Sequence, residues 1–269
     1  MIDGFSFKDV YGIGDLLQIM QCLRSEGGCP WDREQTHESI KKNLIEETYE
    51  VIEAINQKDK ALLCEELGDV LMQVVFHAQM EAEEGSFTFE NVADGVCKKL
   101  IERHPHVFGE VEVTGSEEVL RNWDDIKKRS KGQTSQTETM LSVPRELPAL
   151  MRATKVQKKA AKVGFDWPDI SGAVDKLYEE TSELSGAIES GSEEEIAEEL
   201  GDLLFSAVNV SRFVGCDAEE ALTAATDKFM RRFACVEEKA RERGLKLEEV
   251  SLSELDALWD EAKLDLLSK

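Results

Sequence analysis

Apolar side chains recur every three to four positions along most of this chain, the period of a helix that buries one face. The first such run is GDLLQIMQCLRS, where Leu16, Leu17, Met20 and Leu23 share a face. The same period predicts helices from about Ser39 to Asn56, Lys60 to Glu84 and Phe89 to Arg103. The second of these carries Leu63, Leu67, Val70, Leu71, Val74 and Val75, a wide apolar stripe. After HPHVFGEVEVTG a further helix holds Trp123. The period then lapses. KKRSKGQTSQTETMLSVPRELP is small, polar and punctuated by proline, the composition of a linker. Beyond Pro148 the helical period resumes in five segments and runs to the final SLSELDALWDEAKLDLL. Asp217 followed by Glu220 is a start signal for the fourth of these five. VEVT at Val111 is the one short extended candidate and reads as loop. The expected fold class is all-α.

The two halves resemble each other. EETYE at Glu46 matches EETSE at Glu179, and EELGDVL at Glu65 matches EELGDLL at Glu198, both displaced by 133 residues (179 − 46 and 198 − 65). Lys99 and Arg103 match Lys228 and Arg232, while WDDIK at Trp123 matches WDEAK at Trp259. CPWD near Trp31 has a counterpart in GFDW near Trp167. Ordered motif pairs with similar gaps point to a tandem duplication of one helical module. The modules expected are residues 1–130 and 148–269, joined by a linker over 131–147.

Charge narrows the partners. Lys and Arg number 32 against 56 Asp and Glu, for a net charge of −24, so nucleic acid and anionic membrane surfaces are repelled and cations attracted. No run is long and apolar enough for a membrane helix. The opening MIDGFSFKDV lacks the basic and apolar regions of a secretory signal. The six cysteines form no C-x-x-C pair, and Cys64 and Cys97 fall on apolar helix faces. Reduced thiols in a cytoplasmic protein are expected. His77 falls within a helical core pattern and is expected to be a hydrogen-bonded core residue rather than a ligand.

Carboxylates stand where an apolar stripe should continue. Residues three apart share a helix face, which pairs Glu47 with Glu50, Glu66 with Asp69, Glu180 with Glu183 and Glu199 with Asp202. Glu46 and Glu179 reach the edge of the same faces. If the two helices of a half pack antiparallel, four or five carboxylates converge. Such a group cannot stay ionised at low dielectric without a counter-charge. Oxygen ligands without His or Cys select a hard ion, Mg²⁺ first and Mn²⁺ second. Carboxylates, Mg²⁺ and nearby cations suit a polyphosphate. Lys99, Arg103 and Lys127 in the first half, with Lys228, Arg232 and Lys263 in the second, are the candidate cations. Trp123 and Trp259 are candidates for stacking on a base, and equally for core anchors. A ferritin-like bundle also gathers glutamates but needs E-x-x-H on two helices. The chain offers one match, Glu34 to His37, in a loop-like stretch.

E-E-x-x-E followed by E-x-x-D, in both halves, together with GCPWD, RHPHVFG, LPALMRA and VGFDW, resembles the MazG family of all-α nucleoside triphosphate pyrophosphohydrolases over nearly the whole chain. The resemblance implies Mg²⁺-dependent cleavage of (d)NTPs between the α and β phosphates, giving a nucleoside monophosphate and pyrophosphate. It implies modules that pair into tight helical homodimers, and a role in nucleotide-pool cleansing or stress responses. Carried over by position, the second site is Glu179, Glu180, Glu183, Glu199 and Asp202 with Lys176, Lys228, Arg232, Trp259 and Lys263. The first is Glu46, Glu47, Glu50, Glu66 and Asp69 with Lys99, Arg103, Trp123 and Lys127. Asn43 stands where Lys176 has its equivalent, so the second site is expected to be the more active. Alternatives are a dUTPase-like or phosphoribosyl-ATP pyrophosphatase-like enzyme, or a non-catalytic helical adaptor that binds ions.

Overall fold

The computed structural model describes residues 5–130 and 132–267. Residues 1–4, Lys131 and residues 268–269 lie at the margins of the expected modules and linker, outside the described residues. The chain divides into two compact units, Met1–Lys127 and Lys128–Lys269. Every regular element among the described residues is helical, and VEVT forms no strand. Among the described residues, no helix is long and apolar enough to cross a membrane.

The first unit is built on a helical hairpin. Helix α1 (Ile13–Arg24) and the short α2 (Pro30–Glu34) precede α3 (His37–Gln57) and α4 (Lys60–Glu83). Thr36 and Ser39 exchange side-chain to backbone bonds at the start of α3, so the helix begins two residues before Ser39. Asp59 accepts the N–H groups of Ala61 and Leu62 to start α4. Only Lys58 and Asp59 separate the two helices, which forces them antiparallel. Helix α1 lies on α4, and Met20, Ile40, Val75, Phe76 and Met80 form the core between them. Helix α5 (Phe89–Arg103), the one-turn α6 (Pro105–Phe108) and α7 (Ser116–Ser130) follow.

The second unit repeats the plan. Helix α8 (Gln136–Leu141) and α9 (Ala149–Ala161) lead into α10 (Ile170–Ser190) and α11 (Glu193–Phe213). Gly191, at φ +73°, makes the left-handed turn that ends α10, and Ser192 caps α11 at once. Again two residues join an antiparallel pair, and α9 packs on α11 as α1 does on α4. Helix α12 (Ala218–Glu242) starts at Asp217, whose carboxylate accepts from Glu219 and Glu220. It pairs with α13 (Leu252–Leu267) over a second core of Val236, Ala240, Leu258 and Ala262.

Two expectations need correction. Helix α8 interrupts the stretch read as linker, because Ser135 and Glu138 form a capping box and Thr139 and Val143 bury against their surroundings. The short α2 also occupies part of a stretch read as loop, with Pro30 in its first turn. The cysteines are all free, as expected, and Cys64 and Cys97 are exposed. They sit on helices whose apolar faces are largely open: Leu67 and Leu71 of α4 and Val96 and Leu100 of α5 are exposed, while Val75 is buried.

Candidate active site

The hairpins bring the acidic residues together by simple arithmetic. Glu47 lies ten residues before the end of α3, about 15 Å along the axis, and Asp69 nine residues into α4, about 13.5 Å. Glu180 and Asp202 stand at the same depths in α10 and α11. Side-chain oxygens of Glu47, Glu66 and Asp69 come within 4.8 Å of one another, and so do those of Glu180, Glu199 and Asp202. Glu50 joins the first cluster, close enough to Glu47 and Glu66 to raise both carboxyls. Glu183 joins the second, its own carboxyl raised by the nearby Glu180. Glu46 and Glu179 remain exposed at the rims.

Two carboxyls in each cluster resist ionisation: Glu47 and Glu66, and Glu183 and Glu199. Loss of hydration raises the Glu47 carboxyl above its ordinary range, reinforced by Glu50, Asp69 and Glu66. Glu66 is raised by desolvation and then by Glu50 and Asp69. In the second unit desolvation again leads, with Glu180 next for Glu183, and Glu183, Glu180 and Asp202 next for Glu199. Glu180 is only 4 % exposed. One of its oxygens lies 2.6 Å from Lys176 Nζ; the other, Oε2, is buried with no hydrogen-bond partner. A buried carboxyl oxygen left without a partner offers a ligand position to a cation. The donors present, carboxylates alone, fit a hard divalent ion. Lys176 also holds Glu179 at 2.9 Å, and the two carboxylates raise its pKa. Expected to meet phosphate, it is bound in this structure to its own helix.

The other cations form a second motif in each unit. Arg103 lies over the Trp123 ring at 5.6 Å and Arg232 over Trp259 at 5.8 Å. Trp123 also meets His104 edge-on at 4.8 Å, and Trp259 meets Phe229 at 5.0 Å. Arg103 Nε is buried without a hydrogen bond. Each tryptophan therefore braces the arginine paired with it in the sequence comparison. Lys99 and Lys228 are exposed one turn away, Lys127 is partly buried, and Lys263 is held by Asp260 at 2.8 Å.

One cluster was not visible in the spacing. His37 Nδ1 and His77 Nδ1 lie 2.7 Å apart, and His37 Nε2 is 2.8 Å from Glu81. His77 is thus hydrogen-bonded, as expected, though by a residue 40 positions away. Only the start of α3 at His37 brings the two rings together.

The comparisons with known proteins follow the same division. The model of the MazG nucleotide pyrophosphohydrolase domain matches residues 35–108 and again residues 171–236. The chain is 48% identical over 249 residues to the Thermotoga maritima nucleoside triphosphate pyrophosphohydrolase/pyrophosphatase MazG, covering 93% of this chain and 94% of that one. It is 46% identical over 254 residues to the Escherichia coli nucleoside triphosphate pyrophosphohydrolase, covering 93% and 97%. It is 50% identical to Bacillus subtilis YabN over 91% of its own length, but over only half of that protein. With two family domains, each enclosing one acidic hairpin, the chain belongs to the MazG nucleotide pyrophosphohydrolase family.

Proposed function

We propose that this chain hydrolyses (d)NTPs between the α and β phosphates, releasing a nucleoside monophosphate and pyrophosphate, with Mg²⁺ held by its helix carboxylates. The observation that carries the reading is the buried, unpartnered Oε2 of Glu180 among the carboxylates of Glu183, Glu199 and Asp202. Those four residues would hold the ion in the second unit, and Glu47, Glu50, Glu66 and Asp69 in the first. A divalent ion there would supply charge neutralisation for the phosphates and acidify a water. Glu179, at the rim, orients the attacking water and accepts its proton; Glu46 has the same place in the first unit. Lys228 and Arg232, with Lys99 and Arg103 as counterparts, neutralise the departing pyrophosphate. Trp259 and Trp123 hold the two guanidiniums in place. Lys263 and Lys127 complete each cationic edge. Lys176 orients Glu179 and Glu180, and Asn43 cannot do this, so the second unit carries most of the turnover.

The same reading includes a homodimer. Ile45 and Tyr178, Leu67 and Leu200, and Leu71 and Leu204 are exposed pairs, each displaced by 133 residues. A repeated apolar face of this kind fits a second copy of the chain. A single-chain mass in analytical ultracentrifugation would remove that part. Nucleotide-pool cleansing in the cytoplasm fits the chemistry. The test of the main reading is incubation of the purified chain with each (d)NTP and Mg²⁺, followed by product separation. Monophosphate with pyrophosphate is expected; diphosphate with phosphate, or no product from any nucleotide, refutes it.

A further inference from the structure

The hairpin of α3 and α4 is closed at one end by its two-residue turn and at the other by three titratable side chains. His37 lies 20 residues before the end of α3, and His77 and Glu81 lie 17 and 21 residues into α4, so all three stand about 25–32 Å from the turn. Glu47 is midway, ten residues from either end of α3, so the first acidic cluster is held from both sides. The second hairpin closes differently. The matching positions, 133 residues further on, are Ile170, Val210 and Val214, none of which titrates.

His37 Nδ1 and His77 Nδ1 face each other at 2.7 Å, with the ring planes within 3° of parallel. Such a contact is a hydrogen bond only when one nitrogen carries a proton and the other is bare. His37 Nε2 donates to Glu81 Oε1 at 2.8 Å, because an ionised carboxylate can only accept. His37 Nδ1 is therefore an acceptor while its ring is neutral and a donor once the ring takes a proton. The contact survives either way, since His77 Nδ1 changes in the opposite sense. A second proton sets two N–H groups and two positive charges face to face, and no hydrogen bond remains. His77 Nε2 is buried without a partner, so that ring has no second bond to hold it.

The surrounding charges are otherwise engaged. On α3, Glu38 feels the charge of His37 and of Lys41. From α1, Arg24 is taken up by Glu83 of α4, with contacts of 2.8, 2.9 and 3.1 Å, and by the carbonyls of Asp32 and Gln35. Among the described residues, Asp32, Arg33 and Glu34 of α2 make no side-chain bond to either ring. From α5, Glu90 accepts from the Thr88 hydroxyl at 2.6 Å. Loss of hydration, and then the charge of His37, hold His77 below its ordinary 6.5. The folded chain thus binds fewer protons at His77 than the unfolded one. The contribution of the contact is whole above 6.5, erodes as pH falls from there, and is gone below the lowered value.

We propose that His37, His77 and Glu81 form an acid-released latch on the open end of the first hairpin. It is shut while the two rings share one bonding proton and open once both are charged. Opening frees the first turn of α3, where Ile40 is 2% exposed in the core, and leaves the second hairpin untouched.

Hydrogen exchange on the full chain, with Mg²⁺ present throughout, compares the first turns of α3 and α10 between about pH 7.5 and about pH 5. Protection of the Ser39 and Ile40 amides is expected to fall by at least about tenfold, while that of their counterparts Gly172 and Ala173 changes less than about twofold. His77→Asn places an amide near the Nδ1 position but gains no proton, so its first turn keeps its protection to within about twofold across the range. Wild-type protection that is absent at neutral pH, or constant down to the acid limit, overturns the latch. So does a His77→Asn chain that loses protection in step with wild type. Ring ¹⁵N NMR of the unaltered chain decides without a substitution, since there are only four histidines to resolve. One protonated and one bare Nδ1 at neutral pH, with the pair titrating in two separated steps, is the expected result. Independent single-step titration of the two rings overturns the proposal.

Discussion

Replacing Gly172 by alanine sets two effects of opposite sign against each other. Alanine in a helix is worth about 0.5–1 kcal/mol over glycine. Gly172 stands in the first turn of α10, so the gain falls at the low end. Against it, the new methyl would meet three indole atoms of Trp167 at 2.5, 2.7 and 3.1 Å. Overpacking of that kind costs roughly 1–3 kcal/mol. The clash wins, and Gly172→Ala should lose about 0.5–2 kcal/mol, or a few degrees of melting temperature for a unit of this size. Gly186, on the same helix, has nothing within 4 Å of its Cβ position, so Gly186→Ala should gain stability. Thermal melts by circular dichroism give the two signs. Acrylamide quenching then reports whether the Trp167 indole has swung outward. If Gly172→Ala stabilises as much as Gly186→Ala and quenching is unchanged, the ring does not lean on that glycine and the contact between Trp167 and Gly172 is wrongly described.

Glu180→Gln should lower turnover by roughly a hundredfold or more while the helical signal persists, whereas Glu47→Gln should leave most of it; steady-state kinetics with each variant separates the two units. With divalent ions chelated, stability should fall as pH rises. Glu47, Glu66, Glu183 and Glu199 all have folded pKa values raised above the ordinary 4.5, so the folded chain binds more protons than the unfolded one in the window above that value. The loss is absent below the ordinary value, grows through the window, and is complete above the raised values. Chelated melts that are flat or rising with pH would refute the clustering, and added Mg²⁺ should reverse the fall. Leu258→Ala, at a residue 1% exposed between α12 and α13, should cost about 2–5 kcal/mol in a denaturant titration.

The helices were legible because their apolar period is regular and their ends carry strong caps at Asp59, Ser192 and Asp217. The short α2, α6 and α8 span too few residues to show a period. The acidic pairs were legible because a two-residue connection leaves a hairpin one way to pack. Whether an apolar stripe is covered by its own chain is not written in its period, and Leu67 and Val75 illustrate the difference on one helix. GFDW was visible as a motif, but the hollow it borders also needs Gln157 on one helix and Phe205 on another, 48 positions apart.

Lys176 has a wider consequence. Its ammonium sits on two carboxylates of the second hairpin and acts there as a tethered placeholder for a mobile ion. The second hairpin therefore carries part of its own neutralisation at any ion concentration, and an ion bound as proposed would displace an internal partner. Asn43 provides no such placeholder, so the first hairpin lacks this internal relief. Of the two, the first is the one whose integrity follows the ionic content of its surroundings.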